Sequence, residues 1–265
     1  MNAETYTHGH HESVLRSQRW RTAENSAGFL LPHLKPGMSI LDVGTGPGTI
    51  TMGLAQFVAP GRVVGVDASA EVVAQAQVAA ASAGSAVEFR VGDAYSLDFP
   101  DGSFDVVYAH QILHHLAHPV DALREFRRLA GPEGLVAGRE TDYAAQVIYP
   151  QTAGLAAWAD LYQRVHRSHG GEPDAGRRLK SWARAAGFTE VDAAGSSWYF
   201  SSDDDRAFWG GMWADRTLHS AFAADALALG ATQADLRTIS DAWAAWKDDP
   251  DGWLMVTSGE ILARG

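Results

Sequence analysis

The feature that most constrains this fold is a glycine-rich loop between an apolar segment and a segment with helical spacing. Residues 38–43 form a short apolar run that predicts a buried strand, and residues 49–59 predict the helix that follows it. The loop between them carries Gly44, Gly46 and Gly48. Glycines allow a tight turn and let a ligand approach the backbone without meeting a Cβ atom. In an open α/β sheet, such a loop lies at the carboxyl ends of the strands, where ligands bind.

The chain divides into an alternating half and a mainly helical half. In the first half, apolar strand patterns alternate with helical ones, which predicts a parallel sheet with helices on both faces. The predicted strands there are 38–43, 62–67, 86–91, 104–108 and 134–139, and the helices are 49–59, 70–83 and 119–129. The second half follows with helices at about 151–169, 174–186 and 203–247, and with strands at 189–200 and 253–263. This order predicts the end of the sheet, with a helical cap inserted between its last two strands.

Composition excludes several classes of function. The chain has 265 residues and a formal net charge of −11, and such an acidic surface repels nucleic-acid phosphates. It contains no cysteine, which excludes disulfides, thiolate metal sites and a cysteine nucleophile. Residues 1–9 are polar, and no apolar run reaches the roughly 18 residues of a membrane span. We therefore expect a cytoplasmic protein with no membrane span and no nucleic-acid partner.

The glycine spacing and two aspartates indicate which ligand suits the loop. The glycines follow the pattern G-x-G-x-G, and Thr49 stands where a dinucleotide-binding loop has its third glycine. Asp67 ends the second strand, where a carboxylate can accept hydrogen bonds from both ribose hydroxyls. Asp93 follows the third strand, where it can accept one from an adenine amine. Each feature alone is also typical of an ordinary turn, but together they favour a ligand that contains adenosine.

Four segments carry a resemblance to a known family: LDVGTGPG (41–48), VVGVDAS (63–69), VGDAYSLDFPDGSFDVVYAHQILHHL (91–116) and ALREFRRLAGPEG (122–134). With them the chain resembles the class I S-adenosylmethionine-dependent methyltransferases, and most closely the group that acts on quinones and small molecules. The resemblance implies S-adenosylmethionine as cofactor and S-adenosylhomocysteine as product. It also implies that Asp67 holds the ribose and Asp93 the adenine amine, while the three loop glycines admit the rest. The expected cofactor contacts are Asp42, Gly44, Thr45, Gly46, Gly48, Asp67, Ala68, Asp93, Ala94 and His110.

The resemblance also implies the fold and the division of the chain. We expect an α/β fold with a doubly wound, mostly parallel seven-stranded sheet, which is the Rossmann-like fold of these methyltransferases. An N-terminal helical lid would comprise residues 1–31 and the cofactor-binding core residues 32–145. Residues 146–265 would supply the last strands and the helical cap that forms the acceptor pocket.

The segment after the fourth strand is the expected place of methyl transfer. If a helix begins there, His110 and His114 share one face, because residues four apart are neighbours on a helix. A neutral imidazole can take the proton of a phenol, amine or enol, so both histidines are candidate catalytic residues. The alternative is that at least one of the pair has only an architectural hydrogen bond.

Substrate contacts are expected from the N-terminal segment and from the cap. The candidates are Tyr6, His10, His11 and Tyr143. A solvated amphipathic helix is the alternative interpretation of the N-terminal segment. A metal site of imidazoles alone could be formed, by number, from His110, His114 and His118 with His8, His10 and His11, but no carboxylate lies at a ligand spacing beside them. We therefore expect no metal.

Three functions remain after these exclusions. The first is a methyltransferase that acts on O, N or C of a small-molecule metabolite, mainly by alignment of the reactants. The second is a ubiquinone- or menaquinone-type C-methyltransferase, although no basic amphipathic segment suited to a lipid substrate stands out. The third is a non-catalytic module that binds S-adenosylmethionine. The expected partner is a small methyl acceptor, and a homodimer is possible.

Overall fold

The computed structural model describes residues 20–265 and shows a mixed eight-stranded sheet with helices on both faces. The strands are β1 (Ile40–Val43), β2 (Val63–Asp67), β3 (Glu88–Val91), β4 (Val106–His110), β5 (Leu135–Thr141), β6 (Val147–Tyr149), β7 (Glu190–Phe200) and β8 (Trp253–Arg264). The α-helices are α1 (Ala23–Ala27), α2 (Thr49–Val58), α3 (Ala70–Ala83), α4 (Pro119–Ala130), α5 (Ala153–Ser168), α6 (Leu179–Ala186), α7 (Asp203–His219), α8 (Ala221–Ala228) and α9 (Gln233–Asp248). Short 3₁₀ helices lie at Leu31–His33, Leu113–His115, Tyr143–Ala145 and Ala175–Arg178.

The sheet has the doubly wound arrangement that the resemblance implies. The first five strands are parallel in the order β3-β2-β1-β4-β5. β8 then runs antiparallel to β5 and pairs with β7 along almost its whole length. The short β6, which the sequence did not predict, pairs with the first residues of β8. The α/β fold class is confirmed, and the eighth strand is this three-residue addition.

Side-chain alternation along the strands creates two different faces. On one face, Val107 and Ala109 pack with residues of α4 and α6, such as Phe126. On the other face, Tyr108 packs with residues of α1, α2 and α3, such as Leu54. Because side chains alternate along a strand, His110 at the end of β4 lies on the same face as Tyr108. This face carries the candidate site.

The cap has its own core of aromatic side chains. α5, α7, α8 and α9 enclose a buried cluster in which Trp158 lies 4.8 Å from Trp213 and 4.9 Å from Trp243, measured between ring centroids. α7, α8 and α9 lie between β7 and β8 in the chain. β7 is parallel to β5, so its carboxyl end and the start of β8 lie at the edge where the glycine loop lies. The inserted cap therefore leaves and rejoins the sheet at this edge.

One helix expected in the cap packs elsewhere. Leu179 and Ala183 of α6 lie in the core beside α4 and the sheet, not in the aromatic cluster. The strongly amphipathic sequence of α6 suits this position, because its apolar side covers the sheet and its polar side faces water. No helix within residues 20–265 is both long and apolar enough to cross a membrane.

Candidate active site

The glycine loop has a backbone that only glycines adopt without strain. Gly44, Gly46 and Gly48 have φ values of 78°, 54° and 82°. The amides of Gly44 and Thr45 both donate to the carbonyl of Val66, at 2.8 and 2.9 Å, which fixes the loop on β2. A Cβ atom at Gly48 would lie 2.6 Å from the Phe89 ring. The loop is therefore held close against the sheet, and its backbone lies at the edge formed by the carboxyl ends of the parallel strands.

Two predicted cofactor residues turn their side chains beneath the loop. Thr51 donates to Asp42 Oδ2 at 2.5 Å, and the hydroxyls of Thr45 and Thr51 are also hydrogen-bonded. Burial raises the pKa of Asp42 to about 7, because the charged carboxylate would be desolvated. These side chains hold the start of α2 against β1. Direct cofactor contacts of Asp42 and Thr45 stay a prediction.

The two strand-end aspartates lie at the same edge as the loop. Asp67 ends β2 and accepts from the amides of Gly46 at 3.1 Å and Ser69 at 3.0 Å. It is half-buried, and Ala68 next to it is exposed. Asp93 is exposed two residues after β3 and accepts from the amide of Tyr95 at 3.0 Å. The structure thus brings the loop and both carboxylates to one edge, while their contacts with a cofactor remain predicted.

The predicted helix after β4 is wrong. His110 is the last residue of β4, and Gln111 has a left-handed backbone with φ of 52°. The Gln111 amide still donates to the carbonyl of Arg139 at 2.9 Å, so sheet pairing extends past His110. A 3₁₀ helix at Leu113–His115 follows. His110 and His114 therefore belong to different elements and share no helical face.

His110 lies in a buried group of side chains that we call the His110 cluster, which comprises Tyr108, His110, Arg139, Trp198 and Glu260. The imidazole is 5% exposed, and neither ring nitrogen has a hydrogen-bond partner. Its centroid lies 5.7 Å from that of Trp198 and 6.4 Å from that of Tyr108. Burial, with the nearby charges of Arg21 and Arg139, holds the pKa of His110 well below its usual range. The imidazole is therefore neutral at physiological pH.

Helix α1 fixes two members of the His110 cluster. Tyr108 donates its hydroxyl to the carbonyl of Ser26 at 2.9 Å, and Trp198 donates its indole N–H to the carbonyl of Asn25 at 2.6 Å. Both carbonyls belong to α1, whose last turns would otherwise leave acceptors unpaired. Trp20 packs edge-on against Trp198 at 5.1 Å. These contacts hold the aromatic walls around His110 in place.

Arg139 and Glu260 are site residues that the sequence analysis missed. They lie opposite each other on the antiparallel strands β5 and β8, with Arg139 Nε 3.3 Å from Glu260 Oε1. Both are buried, at 1% and 7% exposure. One signal was available: Arg139 and Glu140 are two adjacent charged residues at the end of an otherwise apolar strand pattern. Buried charges are rare without a partner or a ligand.

His114 has an architectural partner. Its Nδ1 pairs with Glu140 Oε2, while Glu140 Oε1 accepts from the amides of Ile112 at 3.0 Å and Leu113 at 2.7 Å. His166 Nε2 donates to the carbonyl of His114 at 2.7 Å and ties α5 to this turn. A catalytic role of His114 stays a prediction, and these contacts favour the architectural alternative.

The structure assembles a histidine group that differs from the one considered in the sequence. One ring nitrogen each of His114, His115 and His166 lies within 4.8 Å of the others. His114 Nδ1 is hydrogen-bonded to Glu140, and His166 Nε2 donates to the carbonyl of His114. The expectation that the protein holds no metal stays a prediction.

The predicted substrate residues divide into two groups. Tyr143 stacks on Tyr162 of α5 with a centroid distance of 4.1 Å and is half-buried beside the aromatic core of the cap. Tyr6, His10 and His11 lie outside the described residues. Substrate contact by any of the four stays a prediction.

Comparison with known proteins identifies the family of the chain. A family model described as a methyltransferase domain matches residues 41–138. An uncharacterized methyltransferase of Schizosaccharomyces pombe is 34% identical over 269 residues, which cover 98% of this chain and 96% of that protein. A probable methyltransferase of Aspergillus luteorubrus is 30% identical over 279 residues, which cover 97% and 96%. The similarity thus includes the cap as well as the glycine loop.

A solved structure agrees in fold. Phosphoethanolamine N-methyltransferase 2 of Haemonchus contortus, in complex with phosphomonomethylethanolamine and S-adenosylhomocysteine, superposes with a TM-score of 0.58. It is 16% identical, and the match covers 94% of this chain and 52% of that chain. The resemblance to the class I S-adenosylmethionine-dependent methyltransferases is confirmed by these relatives and by the fold. The chain belongs to the methyltransferase family.

Proposed function

We propose that this enzyme transfers a methyl group from S-adenosylmethionine to O, N or C of a small-molecule acceptor held beside His110. The observation that carries the proposal is the unpartnered imidazole of His110, buried at the carboxyl end of β4. Buried polar groups are almost always hydrogen-bonded in native proteins, so this one suits a ligand. The register pairs Ala109 with Val43, which places the start of the glycine loop level with His110.

The edge of the sheet fits the proposed cofactor. A Cβ atom at Gly44 would lie 3.0 Å from Ile112 Cδ1. A side chain at this position would therefore crowd Ile112, and glycine leaves the backbone accessible to a ligand. Asp67 keeps a half-exposed carboxylate beside the loop, which suits ribose hydroxyls. Asp93 lies one strand further out, as expected for an adenine contact. When bound, S-adenosylmethionine supplies an electrophilic methyl group on a positively charged sulfur.

His110 is the proposed proton acceptor in this reaction. The low pKa keeps the imidazole neutral, so a lone pair is free to accept a hydrogen bond or a proton from an acceptor hydroxyl, amine or enol, and the same shift makes it a weaker base than an exposed histidine. Trp198 and Tyr108, both tied to α1, limit the position of a flat acceptor and exclude water around it. For an acceptor that carries no acidic proton, this alignment would be the main contribution of the protein.

A binding and turnover experiment tests the proposal. Calorimetry should show binding of S-adenosylmethionine and S-adenosylhomocysteine but not of NAD. Extracted metabolites incubated with labelled S-adenosylmethionine should then yield a labelled small product and S-adenosylhomocysteine. No binding of either adenosyl compound would refute the cofactor. Binding without transfer to any extracted metabolite would instead favour a non-catalytic module.

A further inference from the structure

The guanidinium of Arg139 is a second buried group with unused hydrogen-bonding capacity. Its Nε donates to Ser196 Oγ at 3.1 Å and to Glu260 Oε1 at 3.3 Å. Neither Nη1 nor Nη2 has a hydrogen-bond partner, although the side chain is only 1% exposed. Each of these nitrogens carries two N–H donors. The buried cation therefore makes bonds on one edge and leaves the other edge unsatisfied.

The neighbours of Arg139 leave a defined direction for a ligand. The guanidinium carbon lies 4.2 Å from the centroid of the Trp198 ring, so one face of the group is covered. Glu260 and Ser196 occupy the Nε edge. The remaining edge, formed by the two terminal nitrogens, presents parallel donors of the kind that bind a planar carboxylate in a bidentate way. Desolvation by burial also lowers the pKa of Arg139. A bound anion would counteract this shift, because it stabilises the charged guanidinium.

We propose that Arg139 binds a carboxylate group of the methyl acceptor and so selects an anionic, carboxylate-bearing substrate. The proposal rests on the proposed function, because it places the acceptor beside His110. Arg139 is the register partner of His110 across β4 and β5, and their side chains lie on the same face. An acceptor carboxylate on the Arg139 edge would therefore lie close to the unpartnered imidazole. The flat Trp198 ring lies against both Arg139 and His110, which suits an unsaturated or aromatic acceptor.

The position of Arg139 in the sheet favours the acceptor over the cofactor as the source of the carboxylate. In the order β2-β1-β4-β5, the glycine loop follows β1 and Asp67 ends β2. Arg139 lies on β5, on the other side of β4 from both. Glu260 already neutralises part of the Arg139 charge, which suits a singly charged carboxylate better than a doubly charged phosphate.

The test uses benzoate as a probe, with benzamide as its neutral counterpart and phenyl phosphate as the alternative anion. Binding to the wild-type protein is measured by calorimetry with and without saturating S-adenosylhomocysteine. We expect benzoate to bind at least tenfold more tightly than benzamide and phenyl phosphate. Equal binding of benzoate and benzamide, or no binding of benzoate, would overturn the proposal. Tighter binding of phenyl phosphate would replace the carboxylate with a phosphate.

Variants of opposite expected effect separate recognition from folding. Arg139→Gln should weaken benzoate binding at least tenfold. Arg139→Lys should recover part of the lost affinity, since lysine keeps the positive charge but lacks the planar, bidentate guanidinium. Glu260→Gln should tighten benzoate binding, because it removes the competing carboxylate. Arg206→Gln is the matched control, since Arg206 is also buried but bonds Ser201 and Asp203 within the cap. It should bind benzoate as the wild type does.

Affinity for S-adenosylhomocysteine separates the two proposals. We expect it to change less than threefold in Arg139→Gln, with an unchanged circular dichroism spectrum. A loss of cofactor affinity in this variant would mean that Arg139 serves the methionyl carboxylate, which overturns the inference and leaves the proposed function intact. Unaltered benzoate binding in folded Arg139→Gln and Glu260→Gln proteins would also overturn it. If wild-type protein binds no S-adenosylhomocysteine, the proposed function itself fails.

Discussion

The loop edge, which comprises the glycine loop with Asp42, Thr51 and Asp67, lies beside the His110 cluster on one sheet. The two regions differ in whether their polar groups have hydrogen-bond partners within the protein. At the loop edge, Asp42 bonds Thr51, and Asp67 accepts from two backbone amides. In the His110 cluster, both nitrogens of His110 and the terminal nitrogens of Arg139 have no hydrogen-bond partner. The first region can therefore keep its shape without a ligand. The second has buried donors and acceptors that a ligand would satisfy.

This difference has an energetic meaning. A buried polar group without a partner costs roughly 1–3 kcal/mol, so the His110 cluster lowers the stability of the fold unless a ligand compensates. Such a cost is common at functional sites, where binding needs preorganised groups. We expect substitutions at the loop edge to alter cofactor affinity and stability, and substitutions in the His110 cluster to alter turnover.

The largest expected effect is on turnover. His110→Ala should lower it by about 10²-fold or more if the acceptor must lose a proton, as removal of a general base usually does. Affinity for S-adenosylhomocysteine should change little, because the loop and Asp67 lie on β1 and β2. The measurement is a single-turnover rate beside a calorimetric titration. Near-normal turnover would contradict the catalytic role expected of the His110 cluster and show that alignment of the reactants alone suffices.

The pH–rate profile gives an independent readout of the same residue. Because the pKa of His110 lies well below 6.5, the ascending limb that it controls should lie on the acid side of its ordinary position. His110→Ala should lose this limb. A wild-type limb at or above neutral pH that the substitution leaves unchanged would assign the base to another group.

The second largest effect is the pH dependence of stability. Burial lowers the pKa of His166 to about 3, so below pH 6.5 the unfolded chain binds a proton that the folded protein does not. This contribution to stability is lost as pH falls, by about 2–3 kcal/mol between pH 6.5 and 4.5. Urea unfolding should show the loss in the wild type and a flatter profile in His166→Gln, whose amide can still donate to the His114 carbonyl.

The loop edge should respond to pH with the opposite sign. Asp42 has its pKa raised to about 7, so between about pH 4 and 7 the folded protein keeps a proton that the unfolded chain releases. Its contribution to stability is therefore lost as pH rises through this range. Asp42→Asn should remove that trend. If both variants changed the pH dependence of stability in the same direction, the opposite signs expected for His166 and Asp42 would be contradicted.

The third effect is on cofactor affinity. Asp67→Ala should weaken the binding of S-adenosylmethionine by about 1–3 kcal/mol, because it removes the carboxylate expected to accept hydrogen bonds from the ribose hydroxyls. Asp93→Ala is the comparison, since its exposed carboxylate should contribute less. Calorimetry with S-adenosylhomocysteine measures both. Unchanged affinity in Asp67→Ala would refute the assignment of this residue.

The smallest effect is on the support beneath the loop. Thr51→Val keeps the shape of the side chain but loses the hydrogen bonds to Asp42 and Thr45, which should cost about 1 kcal/mol of unfolding free energy. Thr51→Ser keeps the hydroxyl and is the matched control. A loss of turnover larger than the loss of cofactor affinity in Thr51→Val would show that the two regions are coupled.

Sequence alone determined the parts of this protein that depend on neighbouring residues. The buried strands, the glycine loop and the strand-end aspartates follow from short periodic patterns and from the backbone freedom of glycine. Their positions relative to one another follow from the general rule that parallel strands bring their carboxyl ends to one edge. The order β3-β2-β1-β4-β5 agrees with this expectation. The meeting of the glycine loop and the two strand-end aspartates at one edge was therefore accessible without a structure, and their contacts with a cofactor stay a prediction.

The His110 cluster depended on the tertiary structure. Arg139 and Glu260 are 121 residues apart and meet only because β8 runs antiparallel to β5 in one particular register. The local pattern after β4 favoured a helix, yet the Gln111 amide pairs with the Arg139 carbonyl and keeps His110 in the sheet. Long-range strand pairing outweighs local helical spacing here, because it satisfies buried backbone groups that water cannot reach. For this reason the residues proposed to select the acceptor were decided by the fold.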